Sequence, residues 1–562
     1  MSMKRCLGLF MVGGVASALG CNVGAHPAST TNESALTSSK IEHVVVIVQE
    51  NHTFDAYFGR YCKATPGKPL PTKCGTGNTT VGPECCEAAP DTVAGHDTGL
   101  PIKPMSLTDS TNTVDPRGLD RNHDSACEYL EMSCGVRHAS GTAQLGGGPN
   151  GADRPDATCA MDRFVDKSLG AIGQAVSKAG GKAKAGGGSG CGSILGVGLS
   201  GITASNWAIA DPDEDLSVYR DYARHGAIGD RYFQPAVGQT SSNDMFLATA
   251  QFEFRDNTWF PQVAGSKCQA AALPNDHQPN YHTIKNRTTI ADLLIDKLGA
   301  SGFGYYHMGF GDMTDKSGEK DVHGCPKAPL PELCPDLLKN LSLPDHEAVK
   351  DPRVACMNDP SDNPFRYFEQ FGDDGTHVSA LHDYTQFEKD VAAQTLPAVS
   401  YVKAVTAVDE HPAFGPLSTG QEFVRQTVEA ITKNPTYKDN TLILITWDEG
   451  GGFYDHVSPP AVYDPHGAVD GHGLHTNSET AGPGWMRLGT RIPIIAVGKF
   501  ARTNSISHVQ MEHSSIVKFI EWNFLDGQTG QLNGRESQVN NIGSLLDPAL
   551  AVPEKDAVEH TP

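Results

Sequence analysis

Residues 44–59 of this 562-residue chain read VVVIVQENHTFDAYFG. Five apolar residues, 44–48, are followed at once by four polar ones, Gln49 to His52. A continuous apolar run of this length is typical of a central parallel strand that is covered on both faces. The polar residues are then either an ordinary strand-to-helix turn, or the end of a strand that delivers Glu50 and Asn51 to a site.

A second stretch has the same character. TLILITWDEGGG (441–452) is an apolar strand that ends in Asp448 and Glu449 and then in glycines. RIPIIAVG (491–498) predicts a third strand, and residues 289–299, 421–433 and 514–524 have helical spacing. This succession predicts an α/β fold with a mostly parallel sheet, in which ligands bind beyond the carboxyl ends of the strands.

The overall charge excludes one class of partner. The formal net charge is −22, whereas a nucleic-acid-binding protein needs a basic surface to displace counterions. We therefore expect no nucleic-acid partner and no strong attraction to anionic lipid.

The N-terminus has the order of a secretory signal. Lys4 and Arg5 precede an apolar run over 7–19 that ends in small residues. We expect a signal peptide over 1–21, a flexible linker over 22–40, and an exported protein that is periplasmic, secreted or held at the cell surface. Cys21 resembles the lipid-modified cysteine of bacterial lipoproteins and would anchor the chain in an outer membrane; the alternative is a plain signal cleaved nearby.

The cysteines support the same compartment. The chain has 14 Cys. Without Cys6 and Cys21, twelve remain, all of them between residues 62 and 356, and no two of them form a paired CxxC. In an exported protein this number predicts up to six disulfides. They would staple loop insertions at about 60–205 and 310–365, the first of which contains a Gly-rich tract (180–198) that we interpret as an exposed loop.

Several polar clusters could carry chemistry. Oxygen ligands from the two acid-tipped strands suit Ca²⁺, Mg²⁺ or Mn²⁺, and added histidines would favour Zn²⁺. A metal held against a hydroxyl makes an alkoxide nucleophile accessible, and nearby imidazoles could bind phosphate or protonate a leaving group. Candidate histidines are His123, His411 and His513, and VGQTSSN (237–243) offers three adjacent hydroxyls. Each cluster also has a structural reading as a helix cap, a surface residue or a turn.

The two signatures resemble a known family. IEHVVVIVQENHTFDAYFG and ITWDEGGGFYDHVSPP are similar to motifs of the bacterial phosphoesterase family, which includes phosphatidylcholine-type and plant non-specific phospholipases C and a bacterial acid phosphatase. Stretches 396–421 and 488–524 match in the expected order. The resemblance implies an alkaline-phosphatase-like α/β sandwich with a divalent metal ion and a metal-assisted nucleophile. It also implies a phosphoesterase domain over 41–545 and a C-terminal tail over 546–562.

The resemblance also implies roles for single residues. The implied metal ligands are Glu50, Asn51, Asp448 and Glu449. The implied nucleophile is Thr240, with Ser241 and Ser242 as alternatives, and His123 and His411 match the catalytic histidines. The implied substrate-binding residues are Asn243, Asp455, His456 and His513.

Three departures from the family pattern are visible. The usual Thr-x-Pro-Asn-Arg reads TSSND (240–244), SDN (361–363) stands where acid-phosphatase-like members have a His-His pair, and Gly450 follows the Asp-Glu pair where many phospholipase-like members have His. We expect an exported phosphoesterase, with phospholipase C on phospholipids as the first reading. The alternatives are an acid phosphatase on small phosphomonoesters and a surface-anchored binding protein with little activity.

Overall fold

The computed structural model describes residues 37–95, 99, 101–107, 123–133, 158–165, 206–266, 281–311, 356–412, 414–466, 483–550 and 552–553. The predicted signal peptide, most of the linker and the Gly-rich tract lie outside these residues. Within the described ranges, no helix is both long enough and apolar enough to cross a membrane.

A large mixed sheet organises the described residues. Its nine strands are β1 (His43–Gln49), β2 (Thr79–Val81), β3 (Ala227–Gly229), β4 (Phe303–His307), β5 (Leu381–Asp383), β6 (Val399–Lys403), β7 (Thr441–Trp447), β8 (Ile494–Val497) and β9 (Ser505–Ser507). Their order across the sheet is β5-β4-β6-β1-β7-β8-β3-β9-β2.

The five neighbouring strands β5, β4, β6, β1 and β7 are all parallel. β8 runs antiparallel to both β7 and β3, β9 is parallel to β3, and the edge strand β2 is antiparallel to β9. The predicted α/β class with a mostly parallel sheet is therefore confirmed. The apolar run at 44–48 is buried in β1, which lies between β6 and β7 near the middle of the sheet.

The helices of the described ranges pack around this sheet. They are α1 (Phe54–Phe58), α2 (Ser125–Met132), α3 (Ser217–His225), α4 (Thr240–Thr249), α5 (Ile290–Leu298), α6 (Tyr384–Ala393), α7 (Leu417–Thr432) and α8 (His513–Phe524). Local chemistry defines their starts: Thr53 caps α1 by accepting from Ala56 N, and Thr289 and Asp292 form a capping box on α5. The helices predicted at 289–299, 421–433 and 514–524 are all present.

Short elements complete the described fold. Two-stranded pairs join Val93–Ala94 to Pro101–Ile102, Met105–Ser106 to Ala208–Ile209, Phe260–Pro261 to Tyr281–His282, and Ala461–Asp464 to Gly484–Arg487. The 3₁₀ turns are Thr72–Cys74, Pro83–Cys85, Arg163–Val165, Gly299–Ser301, Pro360–Asp362, Pro364–Tyr367, Glu369–Phe371, Val378–Ala380, Arg535–Ser537, Gly543–Leu545 and Pro548–Leu550.

The disulfides staple the segment that follows α1. Cys62 is bonded to Cys86 and Cys74 to Cys85, and Cys127, Cys159 and Cys356 are disulfide-bonded as well. The stapled segment is not only an insertion, however, because it contributes β2 to the edge of the large sheet. The sequence did not predict this strand, since three residues are too few to give a periodic signal.

Candidate active site

The carboxyl ends of β1 and β7 lie side by side. Gln49 pairs with Trp447, and the next residues continue the contact: Asp448 N donates to the Gln49 carbonyl oxygen (3.0 Å), and Asn51 N donates to Asp448 Oδ1 (2.9 Å). Glu50, Asn51, Asp448 and Glu449 are all at most 1% exposed. Two acid-tipped strands that are distant in sequence thus form one buried polar edge.

Backbone conformation sets the positions of these side chains. Asn51 has a φ of +61°, in the left-handed region that asparagine tolerates better than most residues. The loop after Glu449 passes very close to it: a Cβ at Gly451 would lie 2.3 Å from the Asn51 carbonyl oxygen, and a Cβ at Gly450 would lie 2.1 Å from Thr490 Oγ1. Gly450 is therefore required by the close packing of this loop.

Thr240 faces the acidic edge from the first turn of α4. Its hydroxyl donates to Glu50 Oε2 at 3.3 Å. The two neighbouring hydroxyls are directed elsewhere: Ser241 Oγ donates to the Ser361 carbonyl oxygen, and Ser242 Oγ donates to the Gln239 carbonyl oxygen. Among the three hydroxyls, the structure thus places Thr240 against a predicted metal ligand, at a helix N-terminus where negative charge is stabilised.

The side chain of Asn243 holds the turn that presents Thr240. Its Oδ1 accepts from Ala236 N (2.8 Å), and its Nδ2 donates to the carbonyl oxygens of Gly238 (2.8 Å) and Gln239 (3.2 Å). Asn243 was predicted to bind substrate, but the contacts that the structure gives it are to the backbone of its own turn.

The two predicted catalytic histidines contact different ligand residues. His123 Nε2 lies 3.5 Å from Glu449 Oε1, and the side chain is 3% exposed. His411 is partly exposed; its Nε2 is 3.2 Å from Asn51 Nδ2, and its Nδ1 is 2.8 Å from the Pro412 carbonyl oxygen. A carbonyl can only accept, so Nδ1 donates to it, and Nε2 is the ring nitrogen that faces Asn51.

The residue before His411 explains its placement. Glu410 is buried with a φ of +75°, and its carboxyl group accepts from the hydroxyls of Tyr57 and Tyr219. These bonds hold the turn after β6 in an otherwise unfavourable conformation. They thereby fix His411 beside Asn51.

His513 supports the edge from α8. Its Nε2 lies 2.8 Å from the Asp448 carbonyl oxygen, and its Nδ1 lies 2.7 Å from the Tyr232 hydroxyl. Burial lowers the pKa of His513 to about 3, so the ring is neutral, donates from Nε2 and accepts at Nδ1. Both ring nitrogens of this predicted substrate ligand are therefore engaged within the protein.

Asp455 and His456 belong to a buried ion-pair cluster. Arg491 contacts Asp455 Oδ1 (2.8 Å) and Asp55 Oδ1 (3.0 Å), and His456 Nδ1 is 2.8 Å from Asp55 Oδ2. Asp55, Asp455 and Arg491 are completely buried. The predicted substrate ligands Asp455 and His456 are thus used to join α1 to the loop after β7 and to Arg491.

A lysine that the sequence did not single out lies in the candidate site. Lys403, the last residue of β6, is buried and contacts Glu50 Oε1, and its Nζ is 3.9 Å from Asp244 Oδ2. Asp362 and Asp409 add further acids, since Glu50, Asp362 and Asp409 offer oxygen atoms that all lie within 4.8 Å of one another. The sequence signal was a lysine at the carboxyl end of an apolar strand, where a solvated surface lysine is the usual interpretation.

Crowding of acids perturbs their protonation. Burial, reinforced by the charge of Glu50, raises the pKa of Asp448 well above its usual range, and burial with the charge of Asp448 does the same for Glu449. Burial and Glu50 also raise the pKa of both Asp244 and Asp409 to about 7. Burial opposes ionisation of Glu50 too, but Lys403 and His411 outweigh it and hold the pKa of Glu50 below its usual value.

The donor set fits a hard divalent cation. Asn51 Oδ1, Asp448 Oδ2 and Glu449 Oε1 are buried and receive no hydrogen bond from the described residues. Orphaned buried oxygens are costly unless a cation or a proton binds them. Carboxylate and amide oxygens are the ligands that Mg²⁺, Ca²⁺ and Mn²⁺ prefer, and His123 beside Glu449 is compatible with Zn²⁺.

Comparison with known proteins gives several relatives. The chain is similar to the hemolytic phospholipase C of Pseudomonas aeruginosa (38% identity over 167 residues, 29% of this chain and 22% of that protein). It is also similar to a non-hemolytic phospholipase C of Burkholderia pseudomallei (35% over 190 residues, 29% and 26%) and to non-specific phospholipase C6 of Arabidopsis thaliana (34% over 159 residues, 25% and 29%). The matched segments span about a quarter of the length of these relatives.

The similar solved structures have lower sequence identity to this chain than the phospholipases C. A Vibrio parahaemolyticus protein in the alkaline phosphatase superfamily aligns with a TM-score of 0.24 and 13% identity, over 55% of this chain and 60% of that one. The phosphonate monoester hydrolase of Silicibacter pomeroyi aligns with a TM-score of 0.27 and 11% identity, over 62% and 73%.

A sequence model of the phosphoesterase family covers nearly the whole chain. It matches residues 41–525 and so includes β1, α4, β6, β7 and every residue of the site described above. The chain therefore belongs to the phosphoesterase family.

Proposed function

We propose that the protein is an exported, metal-dependent hydrolase of phosphate esters that uses Thr240 as its nucleophile. The observation that carries the proposal is the hydrogen bond from Thr240 Oγ1 to Glu50 Oε2, at the N-terminus of α4 and beside the acidic edge. Family membership supports the reaction class, and the matched phospholipases C support a phospholipid phosphodiester as the first substrate class. Export rests on the basic and apolar order of residues 1–21, and the Cys62–Cys86 and Cys74–Cys85 disulfides support it.

The residues that would hold the metal are Glu50, Asn51, Asp448 and Glu449. A bound divalent cation would lower the pKa of the Thr240 hydroxyl and would neutralise negative charge on the phosphate oxygens. Glu50 orients the nucleophile, because its Oε2 accepts the Thr240 hydrogen bond and is the acceptor toward which that proton leaves.

Two displacements complete the proposed reaction. Thr240 Oγ1 forms a bond to phosphorus while the bond from phosphorus to the alcohol oxygen breaks, which leaves a phospho-threonine and an alkoxide. An imidazole protonates the alkoxide; His411 is suited to this because it is partly exposed, whereas His123 is buried against Glu449. Water then attacks phosphorus and gives its proton to that imidazole, the Oγ1–P bond breaks, and the proton on Glu50 returns to Thr240 Oγ1.

Parallel assays test the proposal. The full chain is assayed on phosphatidylcholine vesicles and on p-nitrophenyl phosphate, each with and without a chelator. Release of diacylglycerol that the chelator abolishes supports phospholipase C, whereas turnover of the monoester alone would make the protein a phosphatase. No turnover of either ester by metal-loaded protein would contradict an enzymatic function and favour a binding role.

A further inference from the structure

Lys403 is a buried cation in the centre of the candidate site. It lies at the carboxyl end of β6, and its side chain is 1% exposed. An ammonium group is strongly hydrated in water, so burial is tolerated only when carboxylates replace the lost solvent. Glu50 and Asp244 provide that compensation, since both carboxyl groups face the Lys403 Nζ.

The surrounding carboxyl groups have the form of a second cation site. Glu50, Asp362 and Asp409 offer converging oxygens. Neither oxygen of Asp244, nor Asp409 Oδ2, accepts a hydrogen bond from a described residue, and both side chains are 1% exposed. Asp409 follows β6, and its carbonyl oxygen accepts from Glu50 N (2.9 Å), whereas Asp448 follows β7, and its Oδ1 accepts from Asn51 N (2.9 Å). Glu50 is therefore shared between two groups of acids.

Charge balance shows what this arrangement needs. Six carboxyl groups (Glu50, Asp244, Asp362, Asp409, Asp448 and Glu449) lie around the edge, where burial opposes their ionisation unless a cation is bound, and the phosphate of a substrate would add negative charge. One divalent ion on the β7 side leaves the β6 side without a cation except for Lys403. Phosphoryl-transfer sites with two metals place the ions about 3.5–4 Å apart, so a cation is expected close to the first one.

We infer that the Lys403 ammonium is the second cation of this site and takes the place of a second metal ion, with Glu50 bridging the two. The inference rests on the proposed function. Lys403 acts through Glu50 as a positioning residue: it binds Oε1, which leaves Oε2 for Thr240. The protein is thus a one-metal enzyme whose other cation is part of the chain.

Metal stoichiometry tests this inference independently of activity. The purified full chain is dialysed against Mn²⁺, and bound metal is measured by mass spectrometry. We expect one equivalent for the wild type and for Lys403→Arg, which keeps the positive charge. Lys403→Ala is expected to bind one additional equivalent between Glu50, Asp362 and Asp409. That gain should disappear in Lys403→Ala/Asp362→Asn, and Lys433→Ala, which removes a lysine that is 71% exposed, should match the wild type.

Two results would overturn the inference. One is a wild type that binds two equivalents, which would mean that a metal ion enters beside Lys403. The other is a folded Lys403→Ala that gains none. If Lys403→Ala does not fold, the single variant Asp362→Asn decides. It should bind as much Mn²⁺ as the wild type, whereas the loss of one equivalent of Mn²⁺ would show that a second metal ion normally binds there. A wild type that binds no Mn²⁺ would contradict the proposed metal-dependent function. It is distinguishable from failure of the inference, which concerns the difference in bound Mn²⁺ between Lys403→Ala and the wild type.

Discussion

The Thr240 hydroxyl donates a hydrogen bond to Glu50 across 190 positions of sequence, at a distance of 3.3 Å. Loss of this hydroxyl should abolish formation of the phospho-enzyme. We expect Thr240→Ala to lower kcat on the preferred ester by a factor on the order of 10³ or more. Thr240→Ser, which keeps a hydroxyl, should retain measurable turnover.

Ser241 and Ser242 provide matched controls for that prediction. Both follow Thr240 within two residues and are buried, but each donates to a backbone carbonyl oxygen rather than to Glu50. Ser241→Ala and Ser242→Ala should stay within about tenfold of wild-type kcat, since each loses a neutral hydrogen bond of roughly 1 kcal/mol. A larger loss of kcat in either serine variant than in Thr240→Ala would identify that serine, rather than Thr240, as the nucleophile.

Asp448 is the clearest test of the metal ligands. Its Oδ1 orients the Asn51 backbone, and its Oδ2 receives no hydrogen bond from a described residue. Asp448→Asn removes the charge but keeps the shape, and should weaken metal binding by at least about 10- to 100-fold, the loss seen when only a residue that orients a metal ligand is changed. Isothermal titration with Mn²⁺ measures this, with the exposed Asp439→Asn as the control. Unchanged affinity in Asp448→Asn would exclude it as a ligand.

The ion pair of His456 with Asp55 predicts a pH dependence of stability. Burial lowers the pKa of His456, but the Asp55 carboxylate outweighs it and raises the pKa from 6.5 to about 9. The folded state therefore binds the proton more tightly than the unfolded chain. The stabilisation, about 3 kcal/mol from the contacts of His456 with Asp55 and Glu87 together, is complete below pH 6.5 and is lost as the pH rises through 9.

Chemical denaturation at several pH values checks this prediction. Between pH 6.5 and 9 the free energy of unfolding of the wild type should fall relative to that of His456→Gln, which cannot titrate. Parallel pH profiles of the two proteins would contradict the assignment. The pH at which enzymatic activity is half-maximal is a separate quantity, and we do not expect it to follow the pH dependence of the unfolding free energy.

The Cys62–Cys86 bond should stabilise the edge of the sheet. It closes a loop of 24 residues that contains β2. In the chain-entropy account its removal costs roughly 3 kcal/mol, so Cys62→Ser/Cys86→Ser should lower Tm by several degrees. Because β2 is the outermost strand and Glu50 lies near the centre of the sheet, Mn²⁺ affinity of the folded variant should not change.

Gly450 should not accept a side chain. A Cβ there would lie 2.1 Å from Thr490 Oγ1 and 2.9 Å from Gln234 Oε1. Gly450→Ala is expected to cost about 1–3 kcal/mol of stability and to weaken metal binding, because Glu449 must move with its neighbour. Gly450→Ala/Thr490→Ala should recover part of the loss, and equal Tm values for wild type and Gly450→Ala would contradict the packing argument.

Much of the fold could be predicted because the central strands are long and apolar. The run at 44–48 and that at 441–447 are buried on both faces, so composition alone revealed them. The acid pairs at their ends could be placed together because parallel neighbours share a carboxyl edge. By contrast, the reversed direction of β8 and the three-residue β2 depend on long-range pairing that leaves no local pattern.

The other site residues could not be predicted for a related reason. Lys403 and Asp409 come from β6 and the turn after it, and only the strand order places them beside Glu50. The resemblance implied that Asn243 and His456 bind substrate, but Asn243 contacts the backbone of its own turn, and tertiary packing brings Arg491 and Asp55 to His456. Residue type shows what a side chain can do, whereas the fold determines which partner uses it.

The position of β1 between β6 and β7 has a consequence during synthesis. Asn51 meets Asp448 across 397 positions, so the VVVIV segment emerges from the ribosome long before either neighbouring strand exists. An uncharged, β-branched segment without partners is prone to pair with other chains. Until β7 is also available, the VVVIV segment therefore stays open to such pairing, wherever in the cell the chain folds.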